Sequence, residues 1–351
     1  MRYTTFGKRT GLRVSEYALG AANFGTAWGA GAEEDEARRI FERFAEAGGN
    51  FLDTADAYQF GESEELTGKF IATDRDHFVL ATKFSLGAAP HPGMSSTGNS
   101  RKNMIASVEA SLKRLGTDFI DLLWVHFPDE LTPIEEILRG LDDLVSTGKI
   151  HHAALSNFPA WRVSRAVTLA DLKNWAPVAG IQVEYSLVER GADRELLPMA
   201  QALGLGAALW SPLGGGLLTG KYRRGTEGRL TDLGAVIHTE STGQKTAVLD
   251  TVLAIAQESG ATPAQVAVAW VRERAARSAT SLIPIIGPRS VTQLDSYLGA
   301  LDLRLTPEQY TRLSEVSALP LGAPYAATAG SLGGLQGGDP DRVTHPALPV
   351  A

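Results

Sequence analysis

The sequence contains no cysteine among its 351 residues. Disulfide bonds, thiolate metal sites and cysteine nucleophiles are therefore excluded. No apolar run approaches the roughly 18 residues that a membrane-spanning helix needs. The first residues also lack the apolar segment of a signal peptide. From these absences we expect a cytoplasmic protein with no membrane partner.

The chain also lacks an excess of positive charge. Its 33 Lys and Arg residues are outnumbered by 40 Asp and Glu residues, which gives a net charge of −7. A nucleic-acid surface would show as a basic patch or domain, so we expect no nucleic-acid partner. No metal-ligand spacing is present either. His151 and His152 are adjacent, and neighbouring side chains of a strand point to opposite faces.

Short apolar runs alternate with amphipathic stretches along nearly the whole sequence, a pattern typical of βα units around a parallel sheet. Helix-start signals (Ser100, and Thr132 before Pro133) and helix-stop glycines (Gly116, Gly148) mark the ends of two predicted helices. Eight apolar runs are candidate strands, at residues 17–24, 50–56, 78–84, 119–127, 151–157, 180–186, 206–212 and 281–287. Eight βα units in one chain predict an α/β fold, the closed (β/α)8 TIM barrel.

Other segments lie outside the repeat. The string RYTTFGKRTGLRVS alternates about a glycine-containing turn and predicts an N-terminal β-hairpin that plugs the barrel. Segments 85–100, 221–243 and 319 onward exceed ordinary loop length, and the first two follow strands whose ends form the rim where barrel active sites lie. We expect one barrel domain over residues 1–330 and a mobile, Gly/Pro-rich tail over residues 331–351.

Ionisable residues follow three neighbouring apolar runs, in the strings NFLDTADAY, FVLATKF and LLWVHF. Asp53, Lys83 and His126 stand at the ends of the second, third and fourth candidate strands, and Tyr58 lies in the loop after the second. Each residue alone has an ordinary explanation, such as a helix cap or a solvated side chain. Because a barrel brings its strand ends to one rim, the four together favour a proton-transfer site.

The chemistry follows from how these groups would act on one another. A free tyrosine has a pKa of about 10, and a nearby ammonium group of Lys83 is expected to lower the pKa of Tyr58. Asp53 would keep Lys83 charged and oriented, and His126 would donate a hydrogen bond to a carbonyl oxygen. Tyr58 then serves as a general acid in a reduction and as a base in the reverse reaction. Such a reaction requires a hydride donor.

The chain resembles the aldo-keto reductases, in particular the larger bacterial members related to potassium-channel β subunits. The resemblance covers roughly residues 1–318, on the strings GGNFLDTADAY, GESEELTGK, LATK, LLWVH, GKIHHAALSNF, QVEYSL, WSPLGGGLLTGKY and IPIIGPRSVTQL. It implies that Asp53, Tyr58, Lys83 and His126 are the catalytic tetrad. It also implies that an extended NADPH lies across the mouth of the barrel.

The resemblance further implies a set of cofactor-binding residues. The nicotinamide carboxamide would contact Ser156, Asn157 and Gln182, and the nicotinamide ring would stack on Trp210. The pyrophosphate would lie next to Ser211, Leu213, Gly215, Leu217 and Lys221. The 2′-phosphate would be bound by Gly287, Arg289, Ser290 and Gln293. The guanidinium of Arg289 offers two hydrogen bonds to a phosphate, and Ser290 opens a predicted helix whose N-terminus favours anions. Tyr297 stands where the family usually has an Asn that contacts adenine.

These observations predict an NADPH-dependent reductase of aldehydes or ketones that also runs in reverse. A nucleotide-hydrolase loop is disfavoured, because Tyr222 replaces the Ser or Thr that such a loop needs for magnesium. Two alternatives remain open: a non-catalytic, cofactor-sensing subunit of the channel β type, and a Schiff-base aldolase that uses Lys83. Apolar candidates for the substrate pocket are Phe24, Phe84 and Phe127. The physiological substrate and the oligomeric state are left open.

Overall fold

A computed structural model describes residues 1–224 and 238–344 of the chain. Its centre is a closed barrel of eight parallel strands, β3 to β10, in which each strand pairs with the next and β10 pairs with β3. The strands are β1 Tyr3–Thr5, β2 Arg13–Ser15, β3 Ala18–Gly20, β4 Phe51–Asp53, β5 Val79–Phe84, β6 Ile120–Val125, β7 Ile150–Ser156, β8 Val178–Glu184, β9 Gly206–Trp210 and β10 Leu282–Ile286. The predicted (β/α)8 barrel is confirmed.

All eight predicted barrel strands are present, and most are shorter than predicted. Strand β3 is shortened most, because it ends at Gly20 and not at residue 24. In β4 the apolar run extends to residue 56, but the strand ends at Asp53. Beyond Asp53, the backbone N–H groups of Thr54 and Asp56 each donate one hydrogen bond to β5, and the chain then turns away from the sheet. The chain is thereby released to form the turn that carries Tyr58.

Helices surround the barrel, and all but the last of them contribute buried residues to its core. They are α1 Glu34–Glu46, α2 Glu62–Ile71, α3 Arg101–Leu115, α4 Ile134–Ser146, α5 Ala160–Lys173, α6 Leu196–Leu203, α7 Gly243–Ser259, α8 Pro263–Ala276, α9 Val291–Gly299, α10 Pro307–Val316 and α11 Tyr325–Leu335. Ser100 caps α3 as predicted, and Gly116 ends it with φ +62°. The prediction that Thr132 starts α4 is wrong by one residue. Pro133 occupies the cap position, and the Thr132 hydroxyl instead donates to Asp129 at 2.6 Å.

The N-terminal hairpin closes one end of the barrel, as predicted. Strands β1 and β2 pair antiparallel, and the turn between them inserts Phe6 into the core inside the barrel. The Phe6 ring is fully buried and makes edge-to-face contacts with Phe51 at 5.8 Å and Trp124 at 6.0 Å. A Cβ atom at Gly180 or Gly206 would lie within 3 Å of this ring. The two glycines therefore make room for the plug.

The C-terminal part of the described chain differs from the irregular segment expected after residue 319. Helix α11 spans Tyr325–Leu335 and buries none of its residues. The proposed domain boundary at residue 330 falls inside this helix, and the mobility of the tail stays a prediction. Residues 345–351 of the predicted tail and residues 225–237 of the predicted long loop lie outside the described residues. No helix in the described ranges is long and apolar enough to span a bilayer.

We expect Phe6→Ala to destabilise the barrel, because the substitution leaves a cavity among residues that are otherwise completely buried. A buried Phe→Ala change costs about 3–5 kcal/mol, whereas an exposed substitution changes stability by less than about 0.5 kcal/mol. The measurement is denaturant-induced unfolding followed by circular dichroism, with Leu172→Ala as the control because Leu172 is 73% exposed. Equal midpoints for the two variants would show that the hairpin does not stabilise the barrel.

Candidate active site

The predicted catalytic residues continue the inward-facing rows of the barrel. Side chains two positions apart on a strand lie on the same face. In three neighbouring strands, the residue two positions earlier belongs to the core inside the barrel: Phe51 before Asp53, Ala81 before Lys83 and Trp124 before His126. The three polar side chains therefore form the last inward-facing layer, at the carboxyl ends of the strands.

A buried ion pair joins two of these residues. Nζ of Lys83 donates to Oδ2 of Asp53 at 2.6 Å and to the carbonyl oxygen of Thr54 at 2.7 Å. Lys83 is completely buried and Asp53 is 2% exposed. Burial lowers the pKa of Lys83, but the charge of Asp53 and the interaction with Tyr58 outweigh it, so the pKa is raised above its ordinary value. Lys83 is consequently an ammonium group at neutral pH.

Tyr58 lies directly over this ammonium group. Its ring centroid is 4.6 Å from Nζ of Lys83 and 5.8 Å from the ring centroid of His126. The tyrosine begins a short turn, Tyr58–Gly61, and lines a cavity at the barrel rim. A phenol that gives up its proton here would leave a phenolate next to a fixed positive charge, which stabilises the anion.

His126 closes the other side of the cavity. Burial lowers its pKa well below the ordinary value, and the charge of Lys83 lowers it further. The imidazole is therefore neutral at pH 7 and has one N–H donor. Its Nδ1 atom is buried and has no hydrogen-bond partner within the described part of the chain. A neutral imidazole at this position can orient a carbonyl group without adding a second positive charge.

A second polar cluster, which sequence reasoning missed, lies behind the ion pair. The completely buried Glu64 accepts hydrogen bonds from Thr82 Oγ1 at 2.5 Å and from Arg114 Nε at 2.7 Å. Asp56, which is 2% exposed, has one carboxylate oxygen without a partner among residues 1–224 and 238–344. Burial and then the charge of Glu64 raise the pKa of Asp56 to about 7, against the effect of Arg114.

A cavity of about 780 Å³ extends from the tetrad along the rim. Ten of the predicted cofactor residues line it: Asn157, Gln182, Trp210, Ser211, Leu213, Gly215, Lys221, Gly287, Arg289 and Gln293. They come from the ends of strands β7 to β10 and from the segments that follow them. Within the described chain, two cationic side chains, Lys221 and Arg289, stand on its wall.

Three predicted cofactor residues do not line this cavity with their side chains. Ser156 is completely buried and accepts a hydrogen bond from Nδ2 of Asn157 at 3.0 Å. Leu217 is 2% exposed and is not among the residues that line the cavity. Ser290 caps helix α9 by accepting from the backbone N–H of Gln293 at 3.3 Å. Their contacts with a cofactor stay predictions.

The amide side chains near the tetrad have partners of their own. Gln182 donates through Nε2 to Oδ1 of Asp53 at 2.9 Å, which fixes the carboxylate from the side opposite Lys83. Asn157 donates to the carbonyl oxygen of His126 at 3.1 Å and accepts from Nε1 of Trp210 at 3.3 Å. Both residues therefore hold neighbours in place besides facing the cavity.

The predicted substrate-pocket aromatics need correction. Phe127 lines the cavity and is 40% exposed, but Phe24 and Phe84 are 1% exposed and belong to the core between the barrel and its helices. Phe84 follows the inward-facing Lys83 and so points outward. The aromatic residue that sequence reasoning missed is Trp28, whose ring lies 6.0 Å from that of Tyr58. It stands in an irregular loop, where no periodicity could reveal it.

The described residues contain no group of three or more His, Asp or Glu side chains that could hold a metal ion. A tyrosine over an ammonium group, beside a neutral imidazole, can deliver a proton to a carbonyl oxygen placed in the cavity.

Comparison with known proteins agrees with this geometry. Residues 17–318 match the sequence model of the aldo/keto reductase family. An uncharacterized oxidoreductase of Bacillus subtilis is 37% identical over 92% of this chain and 98% of its own length. The norsolorinic acid reductase of Aspergillus flavus is 35% identical over 90% and 80% of the two chains. The NADP(+) aryl-alcohol dehydrogenase of Phanerodontia chrysosporium is 34% identical over 90% and 86%.

The raised pKa of Asp56 predicts a pH-dependent gain in stability for Asp56→Asn. The folded protein retains a proton on this carboxyl up to about pH 7, whereas an unfolded Asp loses it near pH 4. Wild-type stability therefore falls as pH rises between these values. Asn cannot ionise, so the free energy of unfolding of the variant should rise relative to that of the wild type by up to about 1.4 kcal/mol per pH unit in this window.

The measurement is the free energy of unfolding of both proteins in three buffers, at about pH 4.5, 6 and 7.5, which sample this window and the range just above it. Asp76→Asn serves as the control because Asp76 is exposed, and its difference from the wild type should stay constant. A constant difference for Asp56→Asn as well would contradict the raised pKa.

Proposed function

Because the chain belongs to the aldo/keto reductase family, we propose that it is an NADP-dependent oxidoreductase that reduces aldehydes or ketones to alcohols and catalyses the reverse reaction. The observation that carries the proposal is the contact of Tyr58 with the buried ammonium group of Lys83, 4.6 Å from ring centroid to Nζ. The expected cytoplasmic location stays a prediction.

In the direction of reduction, Tyr58 is the general acid. His126 orients the carbonyl oxygen of the substrate with a hydrogen bond, and Tyr58 transfers its proton to that oxygen as the carbon accepts a hydride. Lys83 stabilises the phenolate that remains, and Asp53 keeps Lys83 charged. In the reverse direction the phenolate of Tyr58 takes the proton from an alcohol.

The cavity wall fits a nicotinamide dinucleotide. Trp210 gives a flat aromatic surface, and Gly215 and Gly216 lie on the wall. A Cβ atom at Gly216 would approach Cε of Lys221 to 3.0 Å, so the glycine leaves room for the lysine side chain. When bound, NADPH supplies the hydride. Lys221 would balance the charge of the pyrophosphate.

Preference for NADPH over NADH is proposed to depend on Arg289. The residue lines the cavity at the start of helix α9. Its own backbone N–H donates to Oε1 of Gln293 at 2.8 Å, which fixes the turn that carries the guanidinium. A guanidinium binds a phosphate with two parallel charge-assisted hydrogen bonds. Only NADPH offers a 2′-phosphate for them.

The substrate is proposed to be a small carbonyl compound with an aromatic ring. The part of the cavity next to Tyr58 is walled by Trp28 and Phe127, and His126 stacks on Phe127 at 4.8 Å between ring centroids. Aromatic walls favour aromatic ligands through offset and edge-to-face contacts. The names of the related aryl-alcohol dehydrogenase and of norsolorinic acid reductase are consistent with this class.

The two alternative functions are less well supported by these contacts. A Schiff-base lysine must present a neutral amine, whereas the pKa of Lys83 is raised, despite its burial, by the charge of Asp53. A cofactor-sensing subunit would not need a tyrosine, a neutral histidine and a charged lysine around one cavity. Multiple turnovers of NADPH with any aldehyde would exclude a purely sensing role.

Tyr58→Phe should reduce turnover by about 10²- to 10⁴-fold, the usual contribution of general acid catalysis. NADPH affinity should change little, because the ring remains and only the hydroxyl is lost. The measurements are NADPH oxidation with benzaldehyde and calorimetric titration of NADPH. Tyr3→Phe is the control, since Tyr3 is an exposed residue of the hairpin. Retention of more than half of wild-type turnover would exclude Tyr58 as the acid.

Arg289→Ala should weaken NADPH far more than NADH. A hydrogen bond to a charged group contributes about 1.5–3 kcal/mol, and 1.4 kcal/mol is about tenfold in affinity. We therefore expect a loss of roughly 10- to 100-fold for NADPH and less than about threefold for NADH on the same scale. Arg139→Ala is the control, because Arg139 is half-exposed and pairs with carboxylates of its own helix α4. Equal losses for both cofactors would show that Arg289 supports the loop and does not bind the phosphate.

A further inference from the structure

The loop between β3 and α1, residues 21–33, forms neither helix nor strand, and side chains of the next turn hold it in place. Three hydrogen bonds come from one residue, Gln59. Its Nε2 donates to the carbonyl oxygen of Ala22 at 3.2 Å and to that of Ala30 at 3.0 Å. Its Oε1 accepts from the backbone N–H of Trp28 at 2.7 Å. One amide thus contacts both ends and the middle of the loop.

Glu62, three residues further on, holds a neighbouring stretch of the same loop. Its Oε2 accepts from the backbone N–H groups of Thr26 at 2.8 Å and Ala27 at 3.0 Å. Gly25 has φ +99°, and a Cβ atom there would overlap the Glu62 carboxylate. The loop also has backbone hydrogen bonds of its own, from Gly25 to Ala32 and from Ala32 to Asn23. The two side chains bind further backbone groups of the loop that would otherwise need a helix or strand partner.

The turn that presents Gln59 is itself in an unfavourable conformation. Gln59 has φ 50° and ψ 33°, and Phe60 has φ 55° and ψ 35°, so two consecutive residues other than glycine adopt the left-handed region. Such conformations persist only when surrounding contacts determine them, and they cluster at functional sites. The three hydrogen bonds of Gln59, which is 1% exposed, are such contacts.

The consequence of this arrangement is the position of Trp28. Its indole meets the ring of Tyr58 edge to face at 6.0 Å and the ring of Phe60 at 6.3 Å, and it lines the cavity beside the tetrad. Gln59 itself is buried beneath the loop and is not part of the cavity wall. It can act on a bound substrate only through the residues that it holds.

We propose that Gln59 is a positioning residue that fixes the Trp28 indole as a wall of the substrate site, and that this wall makes the enzyme prefer aromatic over small aliphatic carbonyl compounds. The proposal rests on the proposed function, because it needs a substrate carbonyl at Tyr58. A flexible indole would still offer apolar surface. Only a fixed one presents its ring at a constant angle to an aromatic substrate.

The test compares kcat/KM for benzaldehyde and propanal, with NADPH, in wild type, Gln59→Leu, Trp28→Ala and the double variant. Leucine has a similar volume and removes all three hydrogen bonds. Contacts in an apolar pocket discriminate by roughly 10- to 200-fold, so each single variant should lower the benzaldehyde-to-propanal ratio at least tenfold on that scale. If Gln59 acts through Trp28, the ratio in the double variant should equal that in Trp28→Ala.

Two further measurements separate positioning from general damage. Hydrogen exchange of the backbone amides of residues 22–31 should be faster in Gln59→Leu, while the amides of the barrel strands keep wild-type rates. Gln59→Gly accepts the left-handed backbone without strain and lacks the amide, so it should show the same lowered ratio in a folded protein. Gln309→Leu is the control, because Gln309 caps α10, and its ratio should equal that of the wild type.

An unchanged ratio in Gln59→Leu, or losses that add in the double variant, would overturn the proposal. So would equal losses of kcat/KM for both aldehydes in Gln59→Leu and Gln59→Gly. Failure of the proposed function is distinguishable from these results, because then the wild-type protein itself would oxidise NADPH with neither aldehyde.

Discussion

The buried ion pair of Lys83 and Asp53 is the interaction on which the site depends. Taking an ammonium group and a carboxylate out of water costs several kcal/mol per ion, and their attraction often fails to offset that cost. The pair is therefore weak evidence for stability. Its position explains it better, since it fixes a positive charge 4.6 Å from the ring of Tyr58. Gln182 and the carbonyl oxygen of Thr54 supply the hydrogen bonds that a buried pair needs.

The barrel provides this pair at little conformational cost. Apolar side chains fill the inside of the barrel as far as Phe51, Ala81 and Trp124, and the hairpin closes the other end with Phe6. The next inward-facing layer cannot be filled from above, because the strands end there. Polar residues in that layer are therefore largely removed from water. Burial accounts for the neutral state of His126, whereas Lys83 keeps its charge because Asp53 outweighs the effect of burial.

Features that depend on residues close together in the chain could be predicted from the sequence, and features that depend on distant residues could not. An apolar run that ends in an ionisable residue is a local signal, so the eight strands and the places of Asp53, Lys83 and His126 were predictable. The Asp56–Glu64 cluster was not, because the buried carboxylate of Glu64 pairs with Arg114, which lies 50 residues further along the chain. The positions of Gln59 and Trp28 depend on left-handed backbone at residues other than glycine, which no composition rule indicates. The glycine-rich sequence of α11 predicts an irregular segment, yet residues Tyr325–Leu335 form a helix, and none of them is buried.

The buried ion pair and the Trp28 wall of the cavity are positioned by different elements of the fold. Three members of the tetrad, Asp53, Lys83 and His126, stand at or directly after the ends of strands whose register is fixed by the ladder. Tyr58 lies in the turn that also carries Gln59. The wall formed by Trp28 is positioned by side-chain hydrogen bonds from Gln59 to an irregular loop. A substitution in the loop or in the turn that holds it can therefore reshape the pocket while Lys83 and Asp53 keep their contact. Reaction type is then a property of the barrel, and substrate preference is a property of its loops.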